Sequence, residues 1–257
     1  ISVHHPQIQD FIKIKRDLKR ITGANISIRL SDEFLAAVNE GRKFELRFPV
    51  DKDETTLVSR LTDANEVWDD IIESAHAAAE PGLLFWDTAT KLTPADIYEH
   101  EGFKSTSTNP CGEIILSPYD SCRLMLINLS SFVEQPYTSD AYFDYDKLAE
   151  VAQKAQRLMD DMIDLETEQI DKILAKVDGD PEPDDVKAIE KSMWVKIREQ
   201  AYKGRRTGLG VTAVGDTLAA LGIKYGSDES ISVVEDLYRT LTINAYRSSC
   251  VMAKERG

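Results

Sequence analysis

Apolar and polar positions change period several times along this chain, and each change marks an element. In PQIQDFIKIKRDLKR (6–20) the apolar residues Ile8, Phe11, Ile12 and Ile14 follow Pro6, which is the spacing of one helix face. NISIRL (25–30) alternates with period two and predicts a strand; Ser31 and Asp32 are then suited to cap a short helix through Val38. KFELRF (43–48) alternates again. DANEVWDDIIESAHAAA (63–79) predicts a helix that Pro81-Gly82 ends before the apolar run LLFW. Helix, break and short apolar strand in that order point to an α/β layout with parallel strands.

CRLMLINLSSF (122–132) is almost continuously apolar and predicts a strand buried on both faces. Beyond it the pattern is mostly helical. Leu148, Val151, Ala155, Leu158 and Met162 form one face of a long helix, with further helices over 186–203 and 229–255. AKVDGDPEPDD (175–185) is acidic with two prolines and predicts a solvated loop, with a subdomain break near 176–186. The chain opens mid-strand at ISV and is still in helical pattern at VMAKERG. Residues 1–257 therefore read as the central portion of something larger, truncated at both ends.

Composition narrows the classes. Hydrophobic residues at 42% and charged residues at 30% fit an ordinary globular protein with a real core. No apolar run approaches the roughly 20 residues of a membrane span, and ISVHHPQIQDF has no signal-peptide pattern. A net charge of −14 without a Lys/Arg-rich block argues against direct nucleic-acid binding. It leaves room for a small phosphorylated ligand held by a few amides and one or two arginines. Three cysteines make no disulfide framework and predict a reducing, cytoplasmic setting in which paired thiols are reactive.

Two of those cysteines lie in STNPCGEIILSPYDSC (107–122). If the segment is extended, Asn109, Cys111 and Glu113 share one face, bringing together an amide, a thiol and a carboxylate, and Gly112 lets a ligand come close. The plainer reading is turn chemistry around an inert thiol, with Cys122 a core residue ahead of the strand. Cys-x10-Cys has the wrong spacing for structural zinc and the four histidines make no ligand set, so no metal is expected.

Four other features read as structure. GLGVTA (208–213) matches a dinucleotide fingerprint, but the helical, basic EQAYKGRR precedes it; its glycines are expected to pack a strand against the following helix. Arg205-Arg206 reads as an exposed basic pair. In GLLFWD, Trp86 is expected to fill core volume with Asp87 at a strand end. The carboxylates of MDDMIDLETEQ (159–169) read as a solvated face rather than a Mg²⁺ site. Cys250 is expected in the core.

NPCGEI, with a second cysteine eleven residues after the first in SPYDSC, resembles the active-site segment of the ribonucleotide reductase catalytic subunit. HPQIQDFIKIKRDL, NISIRLSDEFLAAV, AEPGLLFWD and RRTGLGVTAVGDTLAALGIKYGSDES resemble its flanks, so the likeness spans most of the chain. The Asn-Pro-Cys-Gly-Glu form with PYDSC is most similar to the class II, adenosylcobalamin-dependent branch.

The resemblance implies part of a ten-stranded α/β barrel whose central finger loop carries the active-site cysteine. It implies that Cys111 holds a thiyl radical and takes the ribose 3′ hydrogen. Glu113 accepts the 3′-hydroxyl proton, Asn109 hydrogen-bonds the ribose, and Cys122 is half of the redox disulfide. Thr108, Asn109, Pro110, Cys111, Gly112 and Glu113 would line the substrate, and burial of the loop would shield the radical. The implied partners are a ribonucleotide substrate, nucleotide effectors, a thioredoxin-like reductant, a second copy in a homodimer, and the missing N- and C-terminal segments. The family's other reducing thiol has no counterpart before Cys111. Two alternatives stay open: a class I large subunit whose radical comes from a metal-containing partner, and a split or degenerate fragment with an assembly role only.

Overall fold

Ser31 stands where the chain passes from strand to helix, and its hydroxyl accepts from the Phe34 amide at 3.1 Å. The strand–cap–helix order read from NISIRLSDEF is thus the order found. The computed structural model describes residues 1–257 apart from Leu18, Arg20, Lys52 and Gly257. Two compact units, Ile1–Pro118 and Tyr119–Gly257, each combine helices and strands.

In the first unit α1 is Ile8–Lys13, shorter than its apolar spacing predicts; the part of that prediction falling on Leu18 and Arg20 lies outside the described residues. β1 (Ser27–Leu30), α2 (Asp32–Glu40) and β2 (Lys43–Phe48) follow as expected. β3 (Val58–Asp63), which its mostly polar sequence did not announce, pairs antiparallel with β2. Asp63 then caps α3 (Ala64–Ala78), its carboxylate accepting from the Asn65 amide at 2.8 Å. β4 (Gly82–Phe85) returns parallel to β1, with Ser27 opposite Gly82 and Leu30 opposite Phe85, and leads into α4 (Trp86–Lys91). The core beneath joins Ile8 and Ile12 to Ile28, Leu30, Phe34, Phe44, Leu46, Val67 and Ile71. Fully burying each such side chain stabilises by about 1.5–3 kcal/mol before chain entropy is counted. A 3₁₀ segment over Pro94–Glu101 leads to the short strands β5 (Ser107–Thr108) and β6 (Ile115–Leu116).

The second unit is mostly helical, as its pattern predicts. β7 (Leu124–Asn128) passes through a 3₁₀ turn, Leu129–Phe132, to the two-residue strands β8 (Val133–Glu134) and β9 (Tyr142–Phe143). Then come α5 (Tyr145–Gly179), α6 (Asp184–Gly204), β10 (Gly208–Thr212), α7 (Val214–Ala220) and α8 (Asp228–Arg256). β10 lies parallel to β7.

Three expectations change here. β7 is not buried on both faces: Ile127 faces the core, but Leu124 and Leu126 are more than half exposed, because a two-stranded sheet leaves their side uncovered. The solvated loop shrinks to residues 180–183, since Ile163, Ile170 and Val177 continue a buried stripe that carries α5 through Ala175–Gly179. Segment 176–186 lies inside this second unit, at the turn between α5 and α6. On α5 the buried positions include Leu148, Ala155, Met159 and Ile163, whereas Leu158 and Met162 are exposed.

The described strands pair in five two-stranded sheets and close no barrel. No described helix is long and apolar enough to cross a membrane.

Candidate active site

β5 and β6 pair antiparallel, so residues 109–114 are a hairpin tip rather than an extended run. The Asn109 amide donates to the Ile114 carbonyl at 3.1 Å, and the Gly112 amide donates to the Asn109 carbonyl at 3.0 Å. That second bond closes a turn with Pro110 and Cys111 at its centre. Proline suits the first central position because its φ is already fixed there. Gly112 follows at φ +82°, left-handed backbone that a side chain would strain. The period-two face expected for Asn109, Cys111 and Glu113 is therefore absent, because Asn-Pro-Cys-Gly is a turn sequence that closes on its own hydrogen bonds.

Asn109 is drawn into the turn as well. The Ile114 amide donates to its Oδ1 at 3.0 Å, which fixes the orientation of the amide and leaves Nδ2 as the outward donor. From the start of β1, Asn25 Nδ2 donates to the Pro110 carbonyl at 3.2 Å and ties the tip down. Cys111 and Glu113 are exposed. The expected burial of the loop is not found in this chain, since a six-residue tip between two-residue strands carries no side chains that cover its own thiol.

Two grooves flank the tip within the first unit. One of about 330 Å³ is lined by Ser27, Glu80, Leu84, Pro110, Cys111 and Gly112 among others. The other, about 780 Å³, is lined by Asn25, Ser27, Arg29, Thr106, Thr108 and Asn109 with apolar neighbours, and among the described residues no carboxylate lines it. That is notable in a chain with 45 acidic residues. Arg29 donates to the Thr106 carbonyl at 3.2 Å and lies 5.0 Å from the Trp86 ring centre; burial lowers its pKa from the ordinary arginine value. Hydroxyls, amides and one guanidinium suit a polyhydroxylated anionic ligand. Trp86 is thus half-buried beneath a guanidinium rather than deep in the core, and Asp87 accepts from the Asp32 amide at 2.8 Å at the start of α2.

Cys122, partly buried, precedes β7 in the second unit. A Cβ built on Gly208 would lie 3.7 Å from Cys122 Sγ, 3.2 Å from the Arg123 carbonyl and 2.8 Å from Leu124 Cδ2. One on Gly210 would meet Leu126 Cδ2 at 3.0 Å. The glycines of GLGVTA therefore make room for β7 across the sheet, not for the following helix. Gly208 and Gly210 are strand residues, which also removes the dinucleotide reading.

The α5 carboxylates form a solvated face, as read, but they are also paired: Asp160 is buried while Asp161 and Asp164 stay about half exposed. Arg205 binds Asp160 and Asp164 of α5 at 2.6 and 2.8 Å, and Arg256 of α8 joins Asp160, Asp161 and Asp164. The hydrogen bond to Asp160 leads the causes that hold Arg205 above its ordinary pKa. The three aspartates could geometrically hold a cation, but guanidinium groups already neutralise them. Arg206 is not exposed either; its Nε lies 2.7 Å from Asp120 Oδ2. Cys250 is exposed instead of core, because the buried stripe of α8 runs through Leu241, Asn244, Ser248 and Met252. Sequence reasoning missed Asn25, Asp120 and Arg123, whose partners include residues 85, 86 and 43 positions away, a separation no local pattern encodes.

The profile of the ribonucleotide reductase barrel domain matches residues 1–257. The chain belongs to that family. It is 34% identical over its whole length to a vitamin B12-dependent ribonucleoside-diphosphate reductase of Mycobacterium tuberculosis, covering 32% of that protein. It is 30% identical to one of Thermoplasma acidophilum, covering 29% of it. A putative ribonucleoside-diphosphate reductase large subunit of Frog virus 3 is 26% identical, with all of this chain and 41% of the viral protein matched. The chain thus spans about a third of the length of the bacterial and archaeal relatives. Among solved structures, the Actinobacillus ureae class Id ribonucleotide reductase alpha subunit superposes on the whole chain with a TM-score of 0.68. At 18% identity, covering 41% of that subunit, it supports the fold alone.

Proposed function

We propose that this chain is the part of a vitamin B12-dependent ribonucleoside-diphosphate reductase that bears the radical cysteine, and that the complete enzyme closes its strands into a ten-stranded α/β barrel. The observation that carries the reading is the Asn109–Ile114 hairpin tip. It presents the Cys111 thiol on a turn fixed by three internal hydrogen bonds and a fourth from Asn25. The relatives named for B12 dependence and diphosphate substrates support the class and the substrate.

The roles follow from the groups. A sulfur radical on Cys111 takes the 3′ hydrogen of the ribose, a reversible transfer because the two bonds are of similar strength. Glu113 accepts the 3′-hydroxyl proton, and Asn109 Nδ2 donates to the sugar. The 2′ hydroxyl leaves as water while two thiols, Cys122 and a second cysteine of the complete enzyme, form a disulfide: one of their protons departs with the hydroxyl, the other and the two electrons make the new C2′–H bond, and Glu113 returns its proton to the 3′ oxygen. Cys111 then returns its hydrogen to C3′. A thioredoxin-like dithiol would reopen the disulfide, and Thr108 to Glu113 would line the substrate.

Adenosylcobalamin would supply the radical chemistry in the complete enzyme. The two grooves beside the tip are small for a corrin with its nucleotide tail, and neither is lined by histidine. These residues do not fit it, so no contact on this chain is assigned to the cofactor.

The test uses the complete enzyme with adenosylcobalamin and a ribonucleoside diphosphate. Deoxyribonucleotide formation without any second protein, and a sulfur-radical signal by electron paramagnetic resonance that Cys111→Ser removes along with 3′-hydrogen exchange, are expected. Residual exchange in Cys111→Ser rules that residue out as the radical site. Activity only when a metal-bearing protein is added favours the class I reading.

A further inference from the structure

Arg205 and Arg206 are adjacent but serve different partners. Arg205 caps α6 in left-handed backbone at φ +39°, which turns the two side chains apart. Arg205 goes to the α5 carboxylates and Arg206 goes to Asp120. The Asp120 side chain is 1% exposed; its Oδ2 faces that guanidinium and its Oδ1 accepts from the Ser121 amide at 2.9 Å, so the charge leaves water in company. On the other side of Cys122, buried Arg123 donates through Nε to Glu166 of α5 at 2.5 Å and through Nη1 to the Arg206 carbonyl at 3.2 Å. The Gly208 amide donates back to the Arg123 carbonyl at 2.8 Å. Tyr119, itself left-handed at φ +60°, lies beneath Lys196 of α6, whose Nζ is 5.2 Å from the ring centre.

The backbone on both sides of Cys122 is thereby held by α5, by α6 and by residues 206–208. A buried ion pair is a poor source of net stability, because desolvation offsets most of its attraction; what it does fix is geometry. Gly208 completes the arrangement, since without a side chain it sits close against Arg123 and Leu124, with Cys122 Sγ beside it.

We propose that Asp120 and Arg206 are positioning residues for Cys122: their buried pair, braced by Arg123, holds the thiol against the start of β10 in the geometry that disulfide formation requires. This rests on the assignment of Cys122 to the reducing pair. Neither residue touches the substrate; both act through the cysteine's backbone.

The experiment compares Arg206→Gln, Arg206→Lys and Cys122→Ser in the complete enzyme. It reads 3′-hydrogen exchange, dithiol-dependent product formation, and the rate at which iodoacetamide alkylates Cys122, followed by mass spectrometry. Arg206→Gln should keep exchange, lower product formation about tenfold to a hundredfold, and change the alkylation rate with the melting temperature preserved. Arg206→Lys should recover part of the loss. Equal loss of exchange and product, or loss of neither, overturns the proposal. If Cys122→Ser still forms product, the role given to Cys122 fails; the clamp is then judged by alkylation, and an unchanged rate in Arg206→Gln overturns it. Asp120→Asn, which keeps shape and removes charge, replaces Arg206→Gln if the latter does not fold. If neither folds, the pair is purely structural and the proposal falls.

Discussion

Asn109 places two demands on a single amide. Its Oδ1 accepts from the Ile114 amide and holds the tip together, while Nδ2 is the donor proposed to meet the sugar. Asn109→Asp separates these, because the acceptor survives and the donor does not. The variant should melt close to the native protein, whereas Asn109→Ala should lose about 1 kcal/mol of tip stability. The aspartate should nevertheless raise KM or lower kcat in the complete enzyme, since a carboxylate would face the sugar hydroxyls. Thermal denaturation beside steady-state kinetics checks both halves. The residue types of the candidate site were legible in the sequence. Their directions were not, because the Asn109 side chain turns inward for a hydrogen bond that period-two geometry ignores.

At the scale of elements, β10 is a strand because β7 needs it to be narrow. Gly208 lies opposite Leu124 and Gly210 opposite Leu126, and any side chain there would enter the space those leucines fill. Gly210→Ala should destabilise by no more than about 1 kcal/mol, because the exposed Leu126 side chain can yield part of the space. Adding Leu126→Ala should recover most of that loss, a coupling that a double-mutant cycle in denaturant measures. Parallel pairing itself was legible, since helix–break–strand order favours it and both β1–β4 and β7–β10 are parallel. The depth of burial of β7 was not, because a run of apolar residues does not say how many strands lie beside it. The end of α5 escaped for a related reason: two prolines suggested a long loop, yet Val177 still had a buried site to fill.

At the scale of the whole molecule, the ties between distant helices are electrostatic as well as apolar. In the second unit Asp160 of α5 receives Arg205 from the end of α6 and Arg256 from the end of α8. Asp160→Asn should cost about 2 kcal/mol, since it leaves partly buried guanidinium groups short of a counter-charge while solvent screens the rest. The loss should persist in moderate salt, which guanidinium-free urea denaturation at two ionic strengths checks. Because Arg205 is held above its ordinary value, its stabilisation is complete below that value and is lost only at still higher pH, so the neutral range should show no dependence from it.

The sequence by itself determined the local features of this protein: the periods of most helices and strands, the Ser31 cap, the turn-forming Asn-Pro-Cys-Gly, and the family likeness carried by the segment that holds Cys111, Glu113 and Cys122. Only the tertiary structure decided which charges are paired, which leucines stay exposed, what the GLG glycines face, and that Asn25 and Arg206 hold the flanks of the two thiols. The reason is separation along the chain. Caps and turns are settled by neighbours a few residues away. The partners of Asn25 and Asp120 lie 85 and 86 residues off and are brought together only when the cores form.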